Sequence, residues 1–110
     1  MNQHMNLFYD SGWEDALEYS KGSKKKVLRD QNGAKTILLY LPENFHMDAH
    51  THITTEQHFV LRGEYTIEDK VYPEGTYQIF QPHESHGPFD SKKGALILVV
   101  WDPYPVVEKE

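Results

Sequence analysis

The amino-acid sequence predicts an all-β domain, a sandwich or small barrel. Three observations point there. From Lys25 onward the chain runs as short apolar stretches of strand length. Turn sequences rich in Pro, Gly, Asn and Asp separate them at close spacing. The last stretch, Ala95–Trp101, is apolar almost throughout, as expected of a strand buried on both faces.

The elements follow in order. Residues 1–22 carry the weakest signal. Ser11-Gly12-Trp13-Glu14 has the spacing of a capping box, and Asp15-Ala16-Leu17-Glu18 extends it to a turn of helix. Residues 25–28 are the first expected strand, ended by the strong turn sequence Asp30-Gln31-Asn32-Gly33. The second, 36–41, is rich in Ile, Leu and Tyr and is broken by Pro42-Glu43-Asn44. The third, 45–51, carries histidines. After a turn at Thr54-Thr55 a fourth spans 56–61 and stops at Arg62-Gly63. Residues 65–68 and 71–72 form a hairpin across Asp69-Lys70, and Pro73-Glu74-Gly75 turns the chain into 76–80. A short strand at 87–89 precedes Ala95–Trp101, and Pro103 and Pro105 end regular structure. One domain is expected over 1–110, with a core of about 24–101, an N-terminal arm 1–23 and a C-terminal tail 102–110.

Composition narrows the function. The net charge is −6, which opposes nucleic acid and anionic membrane as partners. The basic run Lys24-Lys25-Lys26 is short and reads as a solvated strand edge or loop. Without cysteine there is no disulfide and no thiolate metal site, which suits a reducing cytoplasm. No basic-then-apolar leader opens the chain, and no apolar run approaches a membrane span, so a cytoplasmic protein is expected.

The chemistry concentrates in His50-x-His52-x3-Glu56-x6-Gly63. Residues two apart on a strand share a face, so His50 and His52 can chelate one ion. Glu56, beginning the next strand, can face them. His86, in Pro82-His83-Glu84-Ser85-His86, is the fourth candidate. Three imidazoles and a carboxylate suit Zn, Fe, Mn, Ni or Cu. Seven histidines make a chance His-x-His pair credible, but chance must also supply the Glu, the Gly and the later Pro-x-x-x-His turn. Strand phase puts His46, Asp48, His50 and His52 on one face, so His46 and Asp48 are expected on the inner wall nearer its mouth, Asp48 as a rim carboxylate. Glu56, His58 and Val60 share a face, so His58 is expected beside the metal. His46 and His58 each line a cavity, act as acid or base near neutral pH, or serve as hydrogen-bonded wall residues. Gly63 and Gly75 read as conformational turn residues. The abundant aromatics, Tyr40, Phe59, Tyr65, Tyr77, Phe80, Phe89 and Trp101 among them, suit an apolar ligand and suit a β core better.

Together these residues resemble the cupin superfamily. Its first motif, G-x5-H-x-H-x3,4-E-x6-G, matches at His50, His52, Glu56 and Gly63, with Asn44 replacing the leading glycine. Its second matches loosely at Gly75, Pro82 and His86. The cupin domain of ChrR-like zinc-dependent anti-sigma factors is closer. Its pattern reads here as His50-Thr51-His52, Glu56, Gly75-Thr76-Tyr77 and Pro82-His83-Glu84-Ser85-His86-Gly87-Pro88. His83 stands where that turn has glycine, and His tolerates positive φ better than most residues. The similarity extends from Trp13 to Trp101.

The resemblance implies a cupin jelly-roll β-barrel (double-stranded β-helix) with the metal inside, usually dimeric. Anti-sigma factors of this kind carry a separate sigma-binding domain, for which this chain leaves no room, so regulation by that route is not expected. A metal-dependent oxygenase-like enzyme, a dioxygenase, is expected, acting on a small diketone, enol, catechol-like compound or 2-oxo acid that chelates the metal within the barrel; a cupin isomerase would need the same parts without oxygen. The metal, one of Fe, Zn, Mn or Ni, would be held by His50, His52, Glu56 and His86. Glu56 would stay a ligand or act as base, and His58 or His46 would shuttle a proton. The alternative is a zinc-binding sensor of the ChrR type, with the metal closed by four side chains.

Overall fold

The computed structural model describes residues 3–104, so Met1, Asn2 and residues 105–110 of the expected C-terminal tail lie outside the described residues. Among the described residues all regular elements are strands: β1 (Glu14–Asp15), β2 (Lys24–Gln31), β3 (Ala34–Leu41), β4 (Phe45–Met47), β5 (Glu56–Ile67), β6 (Lys70–Pro73), β7 (Tyr77–Phe80), β8 (Phe89–Ser91) and β9 (Ala95–Trp101). Every pairing is antiparallel. One sheet runs β1-β2-β3-β9-β5-β7; the second joins β6, the end of β5, β8 and β4. The long strand β5 belongs to both and curls them into a jelly-roll half-barrel.

Turn chemistry sets the register. Asn32 and Gly33 (φ 54° and 83°) close the β2–β3 hairpin, with Gln31 opposite Ala34. Glu68 and Asp69 (φ 48° and 67°) close β5–β6, one residue earlier than the expected Asp69-Lys70. Both hairpins have positive φ at two central residues, the twist that suits paired strands. The expected break at Arg62-Gly63 is a bulge inside one strand, because the register against β9 shifts between Val60 and Arg62. Gly63 (φ 72°) makes the bend there. A Cβ at this position would lie 2.4 Å from the Gly94 carbonyl oxygen.

Alternation in the central strands builds the core. Ile37, Leu39 and Leu41 of β3 face Val60 of β5 and Ile97 and Val99 of β9, and Phe45, Tyr65 and Phe89 close the cluster. Each such side chain contributes about 1.5–3 kcal/mol by leaving water, far more than exposed ion pairs supply. The expectation that β9 is buried on both faces holds in part. Ala95, Ile97 and Val99 are buried, whereas Leu96, Leu98 and Val100 are half-buried on the convex face.

The N-terminal arm departs from expectation. Residues 11–18 form no helix. Glu14 and Asp15 pair instead with Lys25 and Lys24, so β1 gains a ladder and complementary charge that a lone helical turn lacks. Lys24 meets Asp15, and Lys25 meets Glu18 at 2.6 Å. Lys26 is not solvated: it is buried, donates to the Tyr9 carbonyl (2.6 Å) and lies 4.6 Å over the Trp13 ring. Tyr9 and Trp13 of the arm therefore dock on the convex face of the sheet, while Ala16 and Tyr19 pack into the core on the concave side. Among the described residues no helix is long and apolar enough to cross a membrane.

Candidate metal centre

The four candidate side chains converge. One donor atom from each of His50, His52, Glu56 and His86 lies within 4.8 Å of the others. Backbone pairing brings them together. His50 and His86 exchange two main-chain hydrogen bonds, 3.0 and 2.9 Å long. The His83 amide donates to the His52 carbonyl at 2.8 Å, with His83 in the left-handed region (φ 65°) that the turn requires. The 82–86 turn is thus tied to the 50–52 segment, and β5 presents Glu56 from the opposite side.

Two imidazoles are oriented by local carbonyls. His50 Nδ1 donates to the Asp48 carbonyl (3.1 Å) and His86 Nδ1 to the Glu84 carbonyl (3.2 Å). Each Nε2 is left with a lone pair for a metal. His86 Nε2 is buried with no hydrogen-bond partner. Burial also holds the His86 imidazole below its ordinary pKa, in the neutral form that ligation needs. An orphaned buried nitrogen beside two more imidazoles and a carboxylate is a donor set that fits a divalent transition metal.

Glu56 anchors the arrangement. Its Oε1 meets His52 Nε2 (2.8 Å) and accepts from Trp101 Nε1 (2.5 Å); its Oε2 meets His58 Nε2 (2.5 Å). Burial works against its ionisation, but the bonds from His52 and His58 outweigh that cost and hold the carboxyl well below the usual range. The same bond pushes His52 up. Because the folded-state pKa of Glu56 is depressed, its contribution to stability is complete above the ordinary value of about 4.3 and is lost as pH falls through the folded value. In the metal-free protein, the stability gap between wild type and Glu56→Gln is therefore expected to narrow as urea denaturation is repeated below about pH 4. A gap that stays constant with pH would show that the ionised carboxylate is not what stabilises.

His58 faces inward, buried, between Glu56 and the Tyr65 hydroxyl (2.9 Å from Nδ1), and Tyr65 donates onward to Gln78 Oε1 (2.9 Å). Tyr65, Gln78 and Trp101 were not singled out as site residues by sequence. Trp101 is the cross-strand partner of Glu56, and that pairing is the signal that could have found it. Tyr65, an odd number of residues from Glu56, reaches the same face only through the bulge between Val60 and Arg62, which sequence phase does not announce.

His46 lies elsewhere. It is exposed and projects outward, with Nδ1 2.7 Å from Asp90 and Nε2 2.8 Å from Asp48. Those bonds, Asp90 first, raise its pKa. The expected inner-wall position of His46 is corrected for a physical reason, whereas Asp48 lines the rim of the cavity. Strand β4 ends at Met47, with Phe45 and Met47 turned inward, and the chain loses its period-two phase before His50. Asp48 supports the site through its main-chain carbonyl, not its carboxylate. His46→Ala is accordingly expected to leave metal stoichiometry unchanged by elemental analysis; loss of metal would return His46 to the site.

His50, His52 and Glu56 sit on the wall of a cavity of about 370 Å³, lined mostly by apolar side chains such as Leu39, Phe45, Phe89 and Val99, with Glu18, Asp48, His58 and Tyr19 of the N-terminal arm also on its wall. A groove of about 490 Å³ outside shares Glu18, Tyr19 and His52 with this cavity.

This geometry has relatives. A profile of the ChrR cupin-like domain matches residues 3–105. The chain belongs to the ChrR cupin-like family. Among solved structures, an RmlC-like cupin from Shewanella frigidimarina is 19% identical, with a TM-score of 0.74, over 93% of this chain and 92% of that one. A chain in the complex of Rhodobacter sphaeroides SigE with the anti-sigma factor ChrR is 22% identical, with a TM-score of 0.71, over 86% of this cupin. The cupin spans about half, 51%, of that chain. An acetylacetone dioxygenase from Acinetobacter johnsonii is 11% identical, with a TM-score of 0.76, over 92% of this cupin and 74% of its own chain. At these identities the likeness is one of fold. A search of curated protein sequences finds no match.

Proposed function

We propose that this cupin is a metal-dependent, oxygenase-like enzyme acting on a small bidentate substrate: a diketone, an enol, a catechol-like compound or a 2-oxo acid. One observation carries the reading. Three of the four donors, His50, His52 and Glu56, open onto a mostly apolar cavity of about 370 Å³, room for a small substrate beside the metal. Iron, manganese or nickel bound there would supply Lewis-acid polarisation of the chelated oxygens and redox chemistry toward O2.

The chain's own residues do the rest. Leu39, Phe45, Phe89 and Val99 exclude water and shape the cavity. His50, His52 and His86 are the proposed neutral ligands and Glu56 the anionic one. Glu56 receives the proton that leaves an acidic diketone carbon or phenol, and His58, bonded to its Oε2 through Nε2, is the partner that relays it. Tyr65, whose phenol is pushed up by burial, keeps its own proton and fixes the ring. His46 has no part in this proposal. In His58→Gln, metal content should persist while turnover drops on the order of 10²–10⁴-fold, the usual worth of a positioned proton-transfer group. The test is oxygen uptake by the metal-loaded protein on pentane-dione and catechol; no uptake with any loaded metal overturns the reading.

The similarity to the ChrR-containing complex favours a second reading, a zinc-closed sensor that acts through a protein partner. Metal identity separates the two. A homodimer is also proposed, through the convex sheet face where Tyr40, Tyr77 and Ile79 are half-exposed, with sedimentation velocity as its check. A cytoplasmic setting is proposed from the lack of cysteine.

A further inference from the structure

We propose that Lys35 is a second anchor for the substrate, and that the substrate carries a carboxylate in addition to its metal-chelating end. The inference rests on the open-metal reading above.

Lys35 precedes Ile37, Leu39 and Leu41 on β3 and shares their concave phase, although lysine is out of place in a row of core residues. The pairing register sets it in one cross-strand row with Trp101 of β9 and Glu56 of β5. Strands lie about 4.8 Å apart, so Lys35 stands two strand spacings, roughly 10 Å at the backbone, from the carboxylate proposed to hold the metal. Trp101 fills the space between. Its Nε1 donates to Glu56, and the Lys35 ammonium lies 5.8 Å over its ring.

The surroundings suit an anion. Lys35 lines the outer groove, which meets the metal cavity at Glu18, Tyr19 and His52. Among the described residues it is the one Lys or Arg lining that groove. Among the described residues, too, no carboxylate lies within ion-pair distance of its ammonium. Glu18, the groove's other charged residue, is taken by Lys25 at 2.6 Å. In a chain of net charge −6, a cation that has no ion pair among the described residues, and only the longer-range pull of Glu18, marks where a negative group is received at the mouth of the site. A substrate that chelates the metal with two oxygens and extends across the Trp101 face by a ring or a few carbons would place its carboxylate at Lys35. The indole offers that ring or chain a flat apolar surface.

The test uses cobalt-loaded protein and two chelators, catechol and dihydrocaffeate, which is the same ring with a propionate arm. Affinity is read from the cobalt absorption bands. Wild type should bind dihydrocaffeate about tenfold more tightly than catechol, the usual worth of a charge-assisted contact. Lys35→Gln should lose that advantage and keep its catechol affinity, and Lys35→Arg should retain it. Equal affinities in wild type, or an advantage that survives Lys35→Gln, would overturn the anchor while leaving the metal centre intact. If neither chelator perturbs the bands, the open-metal reading fails and the anchor fails with it.

Discussion

His50→Ala is expected to lose stoichiometric metal and to unfold roughly 10–20 °C below the metal-loaded wild type. His50 offers a free Nε2, directed by the Asp48 carbonyl, and is bonded through its backbone to His86. Truncation removes a ligand and leaves the neighbouring strands in place. A metal held at about 100 times its dissociation constant stabilises the fold by about 2.7 kcal/mol. Each kcal/mol shifts the melting temperature of a domain of this size by about 4–8 °C. The control is internal: a chelator should bring wild type down to the variant's melting point and leave the variant unmoved. Unchanged metal content in His50→Ala would rule out the ligand set.

Gly63→Ala should cost about 2–4 kcal/mol, combining a left-handed residue that gains a Cβ with an overpacked contact. The added carbon would lie 2.4 Å from the Gly94 oxygen and 2.9 Å from the Ala95 Cα. Both are backbone atoms of the neighbouring strand, so no side chain can swing aside. The bend at Gly63 carries β5 from one sheet to the other, with Glu56 and His58 before it and Tyr65 after it. Denaturant unfolding measures the loss. A change under about 1 kcal/mol would mean that β9 gives way and that the bend does not depend on glycine.

Much of the barrel was legible because its signals are local. Ala95–Trp101 is the strand observed, and Asn32-Gly33 makes the hairpin that its dipeptide announces. Asn44 (φ 61°) and His83 (φ 65°) occupy left-handed positions where the motifs that the sequence resembles carry glycine, as residues that tolerate that region can. The grouping of His50, His52, Glu56 and His86 was legible too, because strand spacing and one turn suffice to suggest it. What escaped depends on tertiary context. The phase argument failed at His46 because the strand stops at Met47, and no local residue forces that stop. Arg62-Gly63 reads as a terminus in sequence and is a bulge once β9 supplies a partner. Glu14 and Asp15 look helical until the lysines of β2 lie opposite. Lys26 reads as solvated until the arm folds over it. Lys35 was in plain view, in phase with Ile37, Leu39 and Leu41, but a lone lysine at a strand start reads as an ordinary surface residue.

The most direct test of the metal centre is elemental analysis of untagged protein purified without added metal, joined to X-ray absorption at the edge of the metal found. The account predicts near-stoichiometric iron, manganese or nickel per chain, bound by nitrogen and oxygen donors with more than four ligands, so that positions remain for a substrate. A closed four-coordinate zinc would contradict the enzymatic reading in favour of a sensor, and absence of any bound metal, with none taken up on reconstitution, would contradict the centre itself.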